Sequence, residues 1–192
     1  TGIENTLIGG LAGDALTDAD YNVAIGKEAL TTDTLGSNSV AIGRRALFSQ
    51  NFTTATDTNN TAVGYEAGVL LTTGINNTLI GDRTGDALTD ADYNIAIGQG
   101  ALTSDTLGSR SVAIGNQTLA QQNFTTATNS YNTAVGYSAG TAVTTGGNNT
   151  LIGGLAGDAL TDANANVAVG VGALGADTLG NRSVAIGMNA LE

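Results

Sequence analysis

Asn38-Ser39-Val40-Ala41-Ile42-Gly43-Arg44-Arg45-Ala46 carries the pattern that decides the fold. An amide or hydroxyl residue is followed by a three-residue apolar run with β-branched ends. A glycine closes the run, and a small residue follows after two variable positions. The same pattern closes at Gly9, Gly26, Gly43, Gly64, Gly81, Gly98, Gly115, Gly136, Gly153, Gly170 and Gly187. These are eleven units spaced 17, 17, 21 and 17 residues apart in a 72-residue cycle. A run such as Val23-Ala24-Ile25 is too short for a helix and rich in β-branched residues, so it reads as a strand. A 17-residue period is too short for a βαβ unit and suits one turn of a solenoid. The expected fold is therefore all-β, a parallel β-solenoid of eleven coils forming a single array over residues 1–192. Its strands would stack about 4.8 Å apart.

The cycle is already running at Thr1-Gly2-Ile3, which matches Thr73-Gly74-Ile75, and it stops in mid-unit after Ala190-Leu191. With no polar capping unit at either end, the chain is expected to be a segment of a longer fibre. The first position of each unit is Asn (Asn5, Asn22, Asn60) or Ser (Ser39, Ser111, Ser183), and stacked Asn residues are expected to form a ladder. Bulk is also redistributed between units. Those with Leu30, Leu47 or Leu102 after the small residue carry their next large residue nine places after the glycine. Those with Gly13, Gly68 or Gly85 there carry it seven places after, as constant packing density in a narrow interior requires.

Composition excludes much. The 192 residues include no Cys, His, Trp or Pro. Disulfides, zinc fingers, haem ligation through His and Ser-His-Asp or Cys-His nucleophiles are therefore excluded. Six basic against seventeen acidic residues give a net charge of −11. Such a surface repels phosphate backbones and anionic lipid, so neither nucleic acid nor insertion into a membrane is expected. No carboxylate pair stands out as an acid–base couple, and every coil's residues recur, so no enzyme activity and no cofactor are expected.

Alternation along each strand separates two columns. Ile8, Ile25, Ile42, Val63, Ile80, Ile97, Ile114, Val135, Ile152, Val169 and Ile186 are expected inside. The middle residues Leu7, Ala24, Ala41, Ala62, Leu79, Ala96, Ala113, Ala134, Leu151, Ala168 and Ala185 are then left on the outer face. An uninterrupted apolar stripe about 50 Å long would be an association site, filled most simply by another copy of the chain.

Asn38-Ser39-Val40-Ala41-Ile42-Gly43-Arg44-Arg45-Ala46 resembles the N-S-V-A-I-G-x-x-A/S repeat of YadA-type trimeric autotransporter adhesin heads. Asn59-Asn60-Thr61-Ala62-Val63-Gly64-Tyr65-Glu66-Ala67-Gly68 is similar to the N-T-A-x-G-Y-x-A-G arrays of bacteriophage tail fibres and bacterial surface fibres. The resemblance touches every unit. It implies a left-handed β-roll assembled as a parallel homotrimer, with the Ala/Leu column at its axis. It also implies an extracellular fibre on a virion or cell surface that displays a receptor-binding tip, with copies of itself as partners and a host glycan or protein as target. The array departs from adhesin heads in its longer coils and strict cycle, which favours the phage or surface-fibre branch.

Three groups of residues are candidates for sites. Asp14, Asp18 and Asp20, repeated as Asp86, Asp90 and Asp92, place oxygens at spacings suited to Ca²⁺, but the EF-hand glycine and glutamate are missing. The more ordinary role is a solvated acidic turn. Asn51-Phe52-Thr53 and Asn123-Phe124-Thr125 lie in the two 21-residue units, where insertions project, and are candidate receptor loops. The competing role for Phe52 and Phe124 is to plug a wider coil. Thr31-Thr32, Thr53-Thr54-Thr56 and Thr72-Thr73 suggest ice binding, but their offsets from the preceding glycine differ, so they cannot stack into one flat ladder. Tyr65 and Tyr137 follow a corner glycine; they are expected to pack on the neighbouring coil, the alternative being exposure for stacking against a glycan.

Overall fold

The computed structural model describes residues 2–192. Eleven three-residue strands, from Thr6–Ile8 and Val23–Ile25 to Val184–Ile186, form one parallel sheet. Each strand pairs with the corresponding strand of the next coil, so Ala24 faces Ala41, Ala41 faces Ala62 and Ala62 faces Leu79. Among the described residues there is no α-helix, and none long and apolar enough to cross a membrane. The fold is a parallel β-solenoid.

Sharp corners turn each coil. In one coil Asn38, before the strand Val40–Ile42, and Arg45 and Leu47, after it, have φ of 63°, 59° and 49°, the left-handed region. Such residues cost about 1 kcal/mol each. Neighbouring coils hold them there: Asn38 N–H donates to Asp20 O at 3.1 Å, Arg45 N–H to Lys27 O at 3.0 Å and Leu47 N–H to Ala67 O at 3.0 Å. The corner glycine goes further. Gly43 has φ 128°, and a Cβ there would stand 2.3 Å from Gly64 O. Only glycine satisfies both the torsion and the close approach.

The strand faces are the reverse of the sequence expectation. Ala24, Ala41, Ala62, Leu79, Ala96, Ala113, Ala134, Leu151, Ala168 and Ala185 are buried inside the solenoid of a single chain. Leu7 belongs to the same column but is 43% exposed in the first coil. This column therefore cannot line an axis between chains. Ile8, Ile25, Ile42, Val63, Ile80, Ile97, Ile114, Val135, Ile152, Val169 and Ile186, expected inside, are half-buried or exposed on the outer face. The middle position shares its interior space with the position six residues later, and it takes a leucine only where that position is glycine. A Cβ on Gly85 would lie 2.9 Å from Leu79 Cδ2 and 2.8 Å from Leu88 Cδ1. Where the middle residue is Ala96, that space goes instead to buried Leu102.

The asparagine ladder exists, but it runs from side chain to backbone. Asn22 Oδ1 accepts Ser39 N–H at 2.8 Å, while its Nδ2 donates to Gly36 O at 2.9 Å. Asn94 repeats this with Ser111 N–H at 2.8 Å and Gly108 O at 2.9 Å. One amide thus satisfies a donor and an acceptor of the following coil, all of it buried. Asn94→Ala removes both bonds and leaves these groups in the interior. The expected loss is about 3 kcal/mol in urea unfolding, whereas a loss within about 0.5 kcal/mol would mean that water replaces the amide.

Candidate functional site

The long coils carry a polar interior. Relative to the preceding coil, Phe52 lies beside Leu35 and Thr56 pairs with Gly36, so Thr53, Thr54 and Ala55 bulge out. These three are exposed, whereas Gln50 and Phe52 are buried. The second long coil repeats this with Thr125, Thr126 and Ala127 outside and Gln122 and Phe124 inside. Phe52 and Phe124 are thus plugs and offer no ring to a receptor. Asn51 Oδ1 accepts the Thr34 hydroxyl at 3.3 Å, and Asn123 Oδ1 accepts that of Thr106 at 3.2 Å. Of the candidate loop residues, Thr53 and Thr125 lie on the bulges and are exposed, as is Asn123, while Asn51 is half-buried.

Each plug closes on a buried carboxylate. Asp105 accepts Phe124 N–H at 2.9 Å, Gly108 N–H at 3.1 Å and Gln122 Nε2 at 2.6 Å. Gln122 Nε2 also donates to Ser111 Oγ at 2.8 Å, and its Oε1 accepts Asn132 Nδ2 at 2.8 Å. Asp33, Gln50, Ser39, Asn60 and Phe52 form the same network in the first long coil. Serine replaces asparagine in the ladder at Ser39 and Ser111, where it hydrogen-bonds the glutamine. Sequence reading missed this network. Its signal was the joint recurrence of Asp33, Ser39 and Gln50 as Asp105, Ser111 and Gln122.

Burial pushes the Asp105 carboxyl above its ordinary value near 3.8, against the pull of its hydrogen bonds. Burial also raises Asp86 and Asp158. Asp162 is lowered by the Thr144 and Thr145 hydroxyls. A raised carboxyl binds its proton more tightly in the folded state, so its contribution is complete below the unfolded value and is lost as pH rises through the folded one. Thermal stability is therefore expected to rise on acidification toward pH 4, less the opposing contribution of Asp162. Asp105→Asn sets an amide donor against Gln122 Nε2. It should cost about 2 kcal/mol at neutral pH and reduce the acid stabilisation; an unchanged pH profile would place the effect elsewhere.

The acidic turns act as links between coils. Asp20 accepts Ile3 N–H at 2.7 Å and Asp92 accepts Ile75 N–H at 2.8 Å. Asp90 accepts the Thr73 hydroxyl at 2.7 Å and Asp86 that of Thr103 at 2.5 Å. Among the described residues no three acidic side chains, Asp14 and Asp18 included, converge as a metal site requires.

Charge gathers at the corner beyond the strand-closing glycines. Arg45 Nη1 meets Glu66 Oε1 at 2.8 Å, Arg45 Nε lies 3.8 Å from Glu28 Oε2, and Arg83 Nε lies 3.6 Å from Glu66 Oε2. Lys27 Nζ is 3.3 Å from Glu28. The Tyr65 hydroxyl and the Glu66 carboxylate raise Arg83 further above its ordinary range. Tyr65 and Tyr137, expected to pack on a neighbouring coil, are exposed, and Tyr65 lies beneath the guanidinium groups of Arg44 and Arg83, 5.5 and 5.7 Å from its ring centre. No family model matches the chain, and neither a curated protein nor a solved structure does.

Proposed function

We propose that the chain is a shaft segment of an extracellular fibre, on a virion or a cell surface, that assembles as a parallel homotrimer and holds a receptor-binding tip away from its base. In this reading the coils follow the 17, 17, 21, 17 cycle with the left-handed winding that the family resemblance implies, and further copies extend the fibre.

One observation carries the proposal. The outward positions of the eleven strands form two columns, and every residue in them is β-branched. One column runs Thr6, Val23, Val40, Thr61, Thr78, Ile95 and onward, and the other is the Ile/Val column that closes on the glycines. Neither contains a charged residue, although the chain as a whole carries −11. Ile80, Ile95 and Ile152 are 37–40% exposed within the array. An uncharged face of this length, with one column aliphatic in every coil and the other mixing aliphatic residues with threonines, is what an interface requires. Parallel association sets like against like along the whole face, so each coil repeats the contact of the one before. In this homotrimer the interface lies on the β-branched columns, because the Ala/Leu column is buried within each chain.

The test is mass in solution. Sedimentation equilibrium at micromolar concentration is expected to give three times the 19.0 kDa chain mass. A single-chain mass would overturn the assembly. The exposed Thr53-Thr54-Ala55 and Thr125-Thr126-Ala127 bulges support a second role, contact with a host glycan or protein along the shaft. Deleting the three residues of each bulge should then abolish cell binding while leaving the mass unchanged.

A further inference from the structure

The internal copies of this chain allow it to be compared with itself. Residues 1–72 and 73–144 agree at most positions, including the interior, the ladder and the plugs. Their differences concentrate just beyond the corner glycines. Lys27, Glu28, Arg44, Arg45, Phe48 and Glu66 become Gln99, Gly100, Asn116, Gln117, Ala120 and Ser138. The first copy therefore gathers Lys27, Glu28, Arg44, Arg45 and the Phe48 ring at this corner, where the second keeps as charged residues only Asp82 and Arg83, in place of Gly10 and Leu11.

That corner encloses an open groove of about 460 Å³, lined by Leu11, Glu28, Thr31, Arg44, Arg45 and Phe48. Five of these six differ in the second copy; Thr31 alone is kept, as Thr103. Leu11, Glu28 and Arg45 are stacked equivalents from three successive coils, each with φ near 60°. The Arg45 guanidinium lies 4.5 Å over the Phe48 ring and is held by Glu66 and Glu28. Thr31 is fixed by donating to Leu11 O at 2.9 Å. Arg44 is exposed and has no ion pair among the described residues.

We infer that this groove binds an acidic saccharide, a sugar unit bearing a carboxylate. Arg44 supplies charge-assisted hydrogen bonds to the carboxylate. Leu11 and Phe48 offer an apolar wall to the C–H face of the ring. Glu28 and the free lone pairs of Thr31 accept hydrogen bonds from sugar hydroxyls. An acidic peptide fits less well, because its successive carboxylates would meet Glu28 and Glu66. The site occurs once in the first two cycles, needs only the corner of coils within one chain, and lies beyond the corner glycines from the β-branched face. It therefore does not depend on the trimer.

The chain itself supplies the test variants. Arg44→Asn with Phe48→Ala installs residues that its own second copy carries at the same places, Asn116 and Ala120, so the coil is expected to keep its circular dichroism and melting temperature. The probe is a hexasaccharide of alternating glucuronate and N-acetylglucosamine, titrated by NMR with the uncharged N-acetylglucosamine hexamer and an octaglutamate peptide in parallel. Saturable binding is expected at about millimolar affinity, weakening with salt and shifting the Leu11 methyl and Phe48 ring signals. The uncharged hexamer and the double variant should each bind at least about tenfold more weakly. No saturable binding of the glucuronate probe overturns the inference, as does undiminished binding by the folded variant. Octaglutamate binding as tightly as the saccharide would replace sugar recognition with a general acidic contact and likewise overturn it.

Discussion

Leu79→Asp is expected to unfold the coils around it, and Ile80→Glu, one residue further on, is expected to leave them folded. Leu79 is fully buried, with its methyl groups in the space above Gly68 and Gly85. An aspartate there would lose those contacts and leave a carboxylate with no cation inside the solenoid. Removing a buried leucine costs about 2–5 kcal/mol, and an unpaired buried charge adds several kcal/mol more. Because each coil is supported only by its neighbours, the damage should spread along the array. The expected readout is loss of the β-sheet circular dichroism signal, or a melting temperature lower by tens of degrees. Normal melting of the Leu79→Asp variant would mean that the middle column faces water.

The second large effect is on assembly. Ile80→Glu, Ile97→Glu and Ile114→Glu change three adjacent coils on the outer face. Their positions pair in register, Ile80 with Ile97 and Ile97 with Ile114. In a parallel trimer nine carboxylates would meet across the interface, and like charges brought together without partners oppose association by several kcal/mol. The isolated chain, in which these side chains reach solvent, should keep its fold. The expected result is a shift from triple to single chain mass in sedimentation with β-structure retained. An unchanged triple mass would place the interface on another face.

The fold was legible because one-dimensional order survives folding in a solenoid. The spacing of Gly26, Gly43 and Gly64 is also the spacing of stacked corners, so period, strand positions and parallel pairing followed from counting. The facing of the strands was misread because both columns are apolar, and hydrophobicity alone could not say which one a narrow interior accepts. Size could have decided it. Leucine occupies the middle position at Leu7, Leu79 and Leu151, and each of these units has glycine six residues later, at Gly13, Gly85 and Gly157. Two positions that exchange volume must share an enclosed space, whereas a solvent face imposes no such constraint. The long coils were marked as special by their length, but length does not show which residues turn inward. Phe52 as a plug and Asp33 as its buried acceptor depend on a coil cross-section that only the folded chain displays. The corner groove was invisible for a different reason: its residues meet through stacking of positions 17 or more apart.

The asparagine ladder also gives the chain a direction of growth. Asn22 reaches forward to Gly36 and Ser39, Asn77 to Asn94, and Asn149 to Asn166, so each side chain serves the coil synthesised after it. A completed coil therefore displays the acceptors that its successor needs, and the successor is only 17 or 21 residues behind in register. A chain leaving the ribosome can add coils in order, each closing on a template already in place, without waiting for distant segments to meet. The ladder that holds the finished solenoid together also lets it be laid down from one end during translation.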